Sequence, residues 1–365
     1  MAAVGLPASG QQPAPAASQG LNWPIIRTTP FAAIDQQNVR KWADARMDEI
    51  LSAEEPIKAG SEFYRTLMQH FTAADATAEF KQGLPRILAE AFLPKYRTNL
   101  ASPGRQPMGP FYILLTLNQF RTPAALPIFR LGLTDPVAAS RSQAIGGLID
   151  LLGIENAIPA QERQTIVQEI RKAAVAETNA AVLGQLYAYL AREGNTQARI
   201  VQDVVAILND RLTRMEQQNE WPLVADAEAA NWLASKYQAA PAPLQADIAR
   251  QIARLMDQAV YSYRVLNPPA DRREQLERIV LATESELVAL YRVKVPNGTP
   301  PNPSVSETLL RGGPNRAQLM RESMDKWVGT QQTPGALNAP AAWGFPPGLG
   351  TRRPPPTPTT TTAPG

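Results

Sequence analysis

The sequence predicts an all-α protein, an irregular stack of helical hairpins flanked by two tails, and three observations carry that reading. Apolar residues recur at intervals of three and four from about residue 23 to 296, with no stretch alternating by two. Proline sits where helices begin, as in Thr122-Pro123, Asp135-Pro136 and at Pro222, where its missing N–H costs nothing. Finally, residues 126–153, "LPIFRLGLTDPVAASRSQAIGGLIDLLG", read as two amphipathic helices separated only by "LTDP", too short for anything but an antiparallel turn.

Each element follows from its own stripe. "DQQNVRKWADARMDEILSA" aligns Val39, Trp42, Met47, Ile50 and Leu51 until "EEP" stops it. "SEFYRTLMQHF" aligns Phe63, Leu67, Met68 and Phe71, and "AEFKQGLPRILAEAF" aligns Phe80, Leu84, Ile87, Leu88 and Phe92. "GPFYILLTLNQF" is apolar on nearly all sides, as a buried helix requires. In the hairpin, Leu126, Phe129 and Leu133 share one face, and Ala144, Ile145, Leu148, Ile149 and Leu152 share another. Helices over "QERQTIVQEIRKAAVAE", "NAAVLGQLYAYLAR", "QARIVQDVVAILNDRLTRM" and "WPLVADAEAANWLASKYQ" follow, then two long ones near 243–265 and 270–294.

Composition divides the chain into three. Residues 1–22 form an Ala/Pro/Gln-rich leader that cannot bury enough apolar surface to offset its ordering entropy. Residues 23–296 form the helical domain. Residues 297–365 read as a Pro/Gly/Thr-rich tail with one short amphipathic helix near 315–328, where Leu319, Met320, Met324 and Trp327 share a face. Two readings of the leader stand. Ala8 and Gly10 are spaced as at the end of a signal peptide cut short by its start at Met1, which would make the protein exported, periplasmic in a bacterium. Alternatively the leader is simply disordered and the protein cytoplasmic.

Neither hairpin helix hides its stripe alone, so the unit needs neighbours on both sides, as repeat proteins do. The residues at its turn make the likeness specific. Pro127, Asp135 and Arg141 are spaced P-x7-D-x5-R, and in this the segment resembles a HEAT repeat, a hairpin of about forty residues that stacks into an α-solenoid. The resemblance implies a HEAT-like α-solenoid in which Pro127 kinks the first helix and Asp135 and Arg141 form a polar ladder at the turn. A shift of 41 residues places Ile170 on Phe129, Leu186 on Ile145 and Leu190 on Ile149. The polar signature does not recur, since its counterparts are Gln168, Ala176 and Val182.

Candidate chemistry is sparse. With no cysteine and His70 as the single histidine, disulfides, thiolate metal sites and a cysteine nucleophile are excluded, and a zinc site would need three carboxylates. No cofactor or metal is expected. Asp226 and Glu228 lie two apart on a helix, diverge, and read as surface residues. "AIGGLID" lies in a helical pattern without a phosphate-loop context and reads as close helix packing. Tyr187 and Tyr189 face different sides of their helix, and one of them, with Arg192, is the candidate interface. Net charge is only +3, and basic residues such as Arg272, Arg273 and Arg278 alternate with acids, an argument against nucleic acid. No run reaches the roughly 20 apolar residues that span a bilayer.

The functional expectation is therefore a non-enzymatic scaffold that binds a protein or peptide. A nucleic-acid or polysaccharide binder with glycosylase-like chemistry is the first alternative and an envelope structural protein the second. Partner and oligomeric state are left open.

Overall fold

A computed structural model describes residues 20–102, 107–154, 157–191 and 197–348. Among the described residues there are fifteen α-helices and no strand. The chain divides into two compact units, Met1–Ile166 and Val167–Gly365.

The first unit contains α1 (Trp23–Thr28), α2 (Ala33–Ser52), α3 (Pro56–Phe71), α4 (Ala78–Ala101), α5 (Met108–Phe120), α6 (Leu126–Gly132) and α7 (Ala138–Gly153). Its packing follows a simple order. Helix α2 packs on α3 and α4, α3 on α5, α4 on α5 and α6, and α5 on α7. Each helix from α2 to α5 thus meets the one after next. Val39, Met47, Leu67, Phe80, Leu84, Leu88, Phe92, Leu117, Phe129 and Leu148 form the buried stripes, each worth roughly 1.5–3 kcal/mol on burial. Thr77 caps α4 by accepting from the Phe80 N–H, and Pro24 and Pro56 occupy first turns. Helix α4 outruns its predicted stripe, passing through Pro85 and Pro94 to Ala101, so proline also lies inside a helix here. Gly147 of α7 explains the paired glycines: a Cβ there would stand 2.4 Å from the Phe129 ring, so only glycine lets α6 approach.

Helix α8 (Ala160–Ala176) carries the boundary between units. The second unit continues with α9 (Ala180–Leu190), α10 (Gln197–Gln218), α11 (Val224–Lys236), α12 (Ala242–Val265), α13 (Ala270–Lys294), α14 (Val305–Arg311) and α15 (Arg316–Val328). The same order recurs, with α9 on α11, α10 on α12 and α11 on α13.

The tail expected from residue 297 is a correction. Residues 305–345 supply core side chains, including Val305, Leu309, Met320, Met324, Trp327, Leu337 and Phe345. Proline and glycine in this region mark breaks between short helices and do not prevent packing. A carboxylate from α13 anchors the segment: Glu284 accepts from the Val305 and Ser306 N–H groups at 2.8 and 2.6 Å and from the Trp327 indole at 3.0 Å. Leu319, predicted on the buried face of α15, is exposed one position off the Met320/Met324/Trp327 stripe. The first nineteen residues and residues 349–365 lie outside the described residues.

Candidate binding groove

Two of the three predicted signature residues, Asp135 and Arg141, meet at the α6–α7 turn. Pro127 lies in the first turn of α6, directly after the 3-10 turn Pro123–Ala125, so it starts the helix and does not kink it. Asp135 is buried; its carboxylate accepts from the Tyr96 hydroxyl at 3.0 Å and the Val137 N–H at 2.8 Å. Arg141 donates to the carbonyls of Asp135 and Pro136 at 2.8 and 3.1 Å. Asp135 and Arg141 therefore organise the α6–α7 turn, and Pro127 starts the helix that leads into it.

The candidate interface on α9 is not an exposed one. Tyr187 and Tyr189 are 6% and 4% exposed, so both are buried, and Arg192 lies outside the described residues. Neighbouring α11 covers the side of α9 that a lone helix would leave wet. Tyr187 instead donates to Asp226 at 3.2 Å, and burial, followed by the Asp226 charge, pushes its phenol well above the usual range.

Asp226 is a second correction: it is 0% exposed, whereas Glu228 faces solvent as expected. Arg211 forks onto both Asp226 oxygens at 2.7 and 3.2 Å and donates to the carbonyls of Ala174 and Glu177, each at 2.8 Å. The second Asp226 oxygen also accepts the Leu223 N–H at 2.9 Å. One buried ion pair thereby joins the end of α8 to α10, α9 and the start of α11. The only hint in the sequence is an apolar helix interrupted by arginine at its otherwise buried edge.

A groove of about 450 Å³ lies in the first unit, between α2 and α3 with α1 at one end. Trp42 and Ile50 from α2 and Phe63 from α3 make its floor, Trp23 closes it, and Ala53 and Ala59 keep its walls low. The aromatic groups hold one another: Trp23 meets Trp42 edge-on at 5.0 Å, and Trp42 stacks on Phe63 at 5.5 Å. Trp23 also stacks on His70, which accepts a hydrogen bond at Nδ1 from Arg27. Burial and the Arg27 charge hold this imidazole below its ordinary pKa, despite Asp75 nearby. His70 is thus a helix-end packing residue. Charge lines the rim: Arg46 pairs with Glu49 and Lys58 with Glu55, while Glu62 stands exposed on α3.

Among the described residues no cluster of three or more His, Asp or Glu side chains could hold a metal ion, and no helix is long and apolar enough to cross a membrane. The chain matches no family model, no curated protein and no solved structure.

Proposed function

We propose that the protein is a non-enzymatic scaffold, an irregular HEAT-like α-solenoid whose α2–α3 groove binds an extended segment of a protein partner. The observation that carries this reading is the groove itself, an aromatic floor between two charged walls, on helices packed next-but-one within their unit. Packing of that order is what stacked hairpins require, because each hairpin must cover the apolar stripe of the one before. Side chains pair across comparable intervals of sequence. Lys95 reaches Asp48 over 47 residues, Arg214 reaches Val175 over 39, and Gln258 reaches Glu220 over 38. Asp135 and Arg141 at the α6–α7 turn support the HEAT-like likeness further.

Ala59→Phe, which fills the groove from α3, tests the proposal. A protein partner retained from native-host extract by the parent chain and lost with Ala59→Phe supports it. Equal recovery by both chains, or duplex DNA binding with a steep salt dependence, replaces it with another reading.

A further inference from the structure

Arg211 also lines a cavity of about 280 Å³ within the second unit. Glu177 and Thr178 enter it from the α8–α9 connection, Arg214 from α10, Trp221 from the α10–α11 connection and Arg272 from the first turn of α13. We propose that this cavity binds a small organic oxyanion, a carboxylate or phosphate monoester borne on a flat ring. Arg272 is the partner of the anion and Trp221 the surface for the ring. The site lies in a different unit from the α2–α3 groove, so it stands or fails separately from the scaffold reading.

The acids of the cavity are already engaged. Glu220 accepts from Arg214 at 3.1 and 2.9 Å, and Glu177 accepts from the Thr178 and Asn179 N–H groups at 2.9 and 2.7 Å. Arg211 is spent on Asp226 and on carbonyls, and Arg214 also donates to the Val175 carbonyl at 2.6 Å. Several donors are not engaged. Arg272 is half-buried and meets no carboxylate among the described residues; of the five N–H donors of a guanidinium it uses one, on Gln275 at 2.9 Å. The Trp221 indole N–H, the Thr178 hydroxyl and the Asn219 amide, which also lines the cavity, make no hydrogen bond among the described residues. What remains at the cavity is a cation with donors around it, which suits an anion. A cation in the first turn of a helix opposes the helix dipole, and α13 begins at Pro269 without a side-chain cap. An oxyanion beside Arg272 answers the guanidinium and suits that end of the helix. Trp221 stands half-buried in a connection, off any helix stripe, and its ring meets no other ring or cation among the described residues. Such a face takes an aromatic body by offset stacking. The volume is near the lower end of small-molecule sites, roughly 300 Å³, room for one ring and its oxyanion.

Isothermal titration of the full chain with phenyl phosphate, benzoate, inorganic phosphate and benzylamine tests the proposal. Saturable binding of phenyl phosphate or benzoate is expected, and the tighter of the two identifies the oxyanion. Inorganic phosphate, which lacks the ring, should bind about threefold or more weaker than the tighter ring-bearing anion. Benzylamine, which has the ring and the opposite charge, should not bind. Arg272→Gln should weaken the ring-bearing anion about tenfold or more, as the loss of a charged hydrogen bond does. Trp221→Leu should weaken it about threefold or more and leave inorganic phosphate as it was. Arg292→Gln removes the same charge from an exposed position about 30 Å further along α13, and should change nothing. No saturable binding of either ring-bearing anion, benzylamine bound as tightly as they are, or equal losses in Arg272→Gln and Arg292→Gln overturns the proposal. Trp221→Leu reads the site independently if Arg272→Gln disturbs α13, with circular dichroism as the check on folding.

Discussion

Arg211 and Asp226 show how much one pair of residues can hold. Both are almost wholly removed from water, and a buried charge is tolerable only when its partner and remaining hydrogen bonds are all in place. Here they are: Arg211 also serves the carbonyls at the end of α8, where a cation favours the helix dipole. Arg211→Met should therefore cost about 3–5 kcal/mol in urea unfolding, because it strands the Asp226 carboxylate, while the double variant Arg211→Met/Asp226→Leu should recover much of that loss. Asp226 read from its own helix looks like a surface residue, since the arginine that buries it lies fifteen positions upstream on another helix. Asp257 makes a second prediction at this scale. Burial raises its pKa to about 7, against the pull of Arg321 at 3.7 Å and with Asp325 and Glu216 adding in the same direction as burial. The unfolded chain releases this proton near pH 3.8 and the folded chain near 7, so the contribution is complete below about pH 3.8 and is lost as pH rises through about 7. Asp257→Asn should flatten that decline, read as urea midpoints between pH 4 and 8. At pH 8 the variant should exceed the parent by on the order of a few kcal/mol. An unchanged pH profile would place the titrating group elsewhere.

At the scale of elements, the docking of α14 and α15 depends on a cap supplied from outside the segment. Ser304 and Glu307 form the local capping box of α14, a pattern visible along the chain. Glu284, twenty-one residues before Val305, adds the second cap and also binds Trp327. Glu284→Ala should loosen the whole hairpin, cost roughly 2–4 kcal/mol, and make the loops at 295–304 and 312–315 the first sites of limited proteolysis. The helical stripes themselves were legible, because three-and-four spacing depends only on neighbours in the same helix. The fate of residues 297–348 was not: abundant proline there resembles a solvated tail, and the surfaces that bury Met320 and Trp327 come in part from α12 and α13, far back along the chain. The hairpin at 126–153 was readable for the opposite reason, since its two helices complete one another locally. Leu148 of α7 is wholly buried, and Leu148→Ala should cost about 2–5 kcal/mol, as should any truncation that opens a cavity between stacked helices.

For the molecule as a whole, the next-but-one packing order has a thermodynamic consequence. A helix that meets only its near neighbours in sequence draws its stability from them, so each unit should contain the terms that hold it. The first unit has a core running from Trp23 to Ile166, and the second has one running from Ile170 to Phe345. Each also contains a buried tyrosine–aspartate hydrogen bond over 39 residues, Tyr96 to Asp135 and Tyr187 to Asp226. A single domain from 23 to 296 is the natural reading of continuous helical periodicity, because a boundary within a helix such as α8 leaves no proline-rich linker to mark it. Residues 20–154 and 157–348, expressed separately, should each be helical by circular dichroism and unfold cooperatively in urea, since both lie within the usual size of an independent domain. Each fragment can be checked against a variant of its own core. Leu148→Ala should lower the midpoint of the first fragment, and Glu284→Ala that of the second, by the same free energy as in the full chain. A fragment that is unstructured alone, or a variant whose cost changes when the other half is removed, would mean that stability is shared along the chain beyond nearest neighbours.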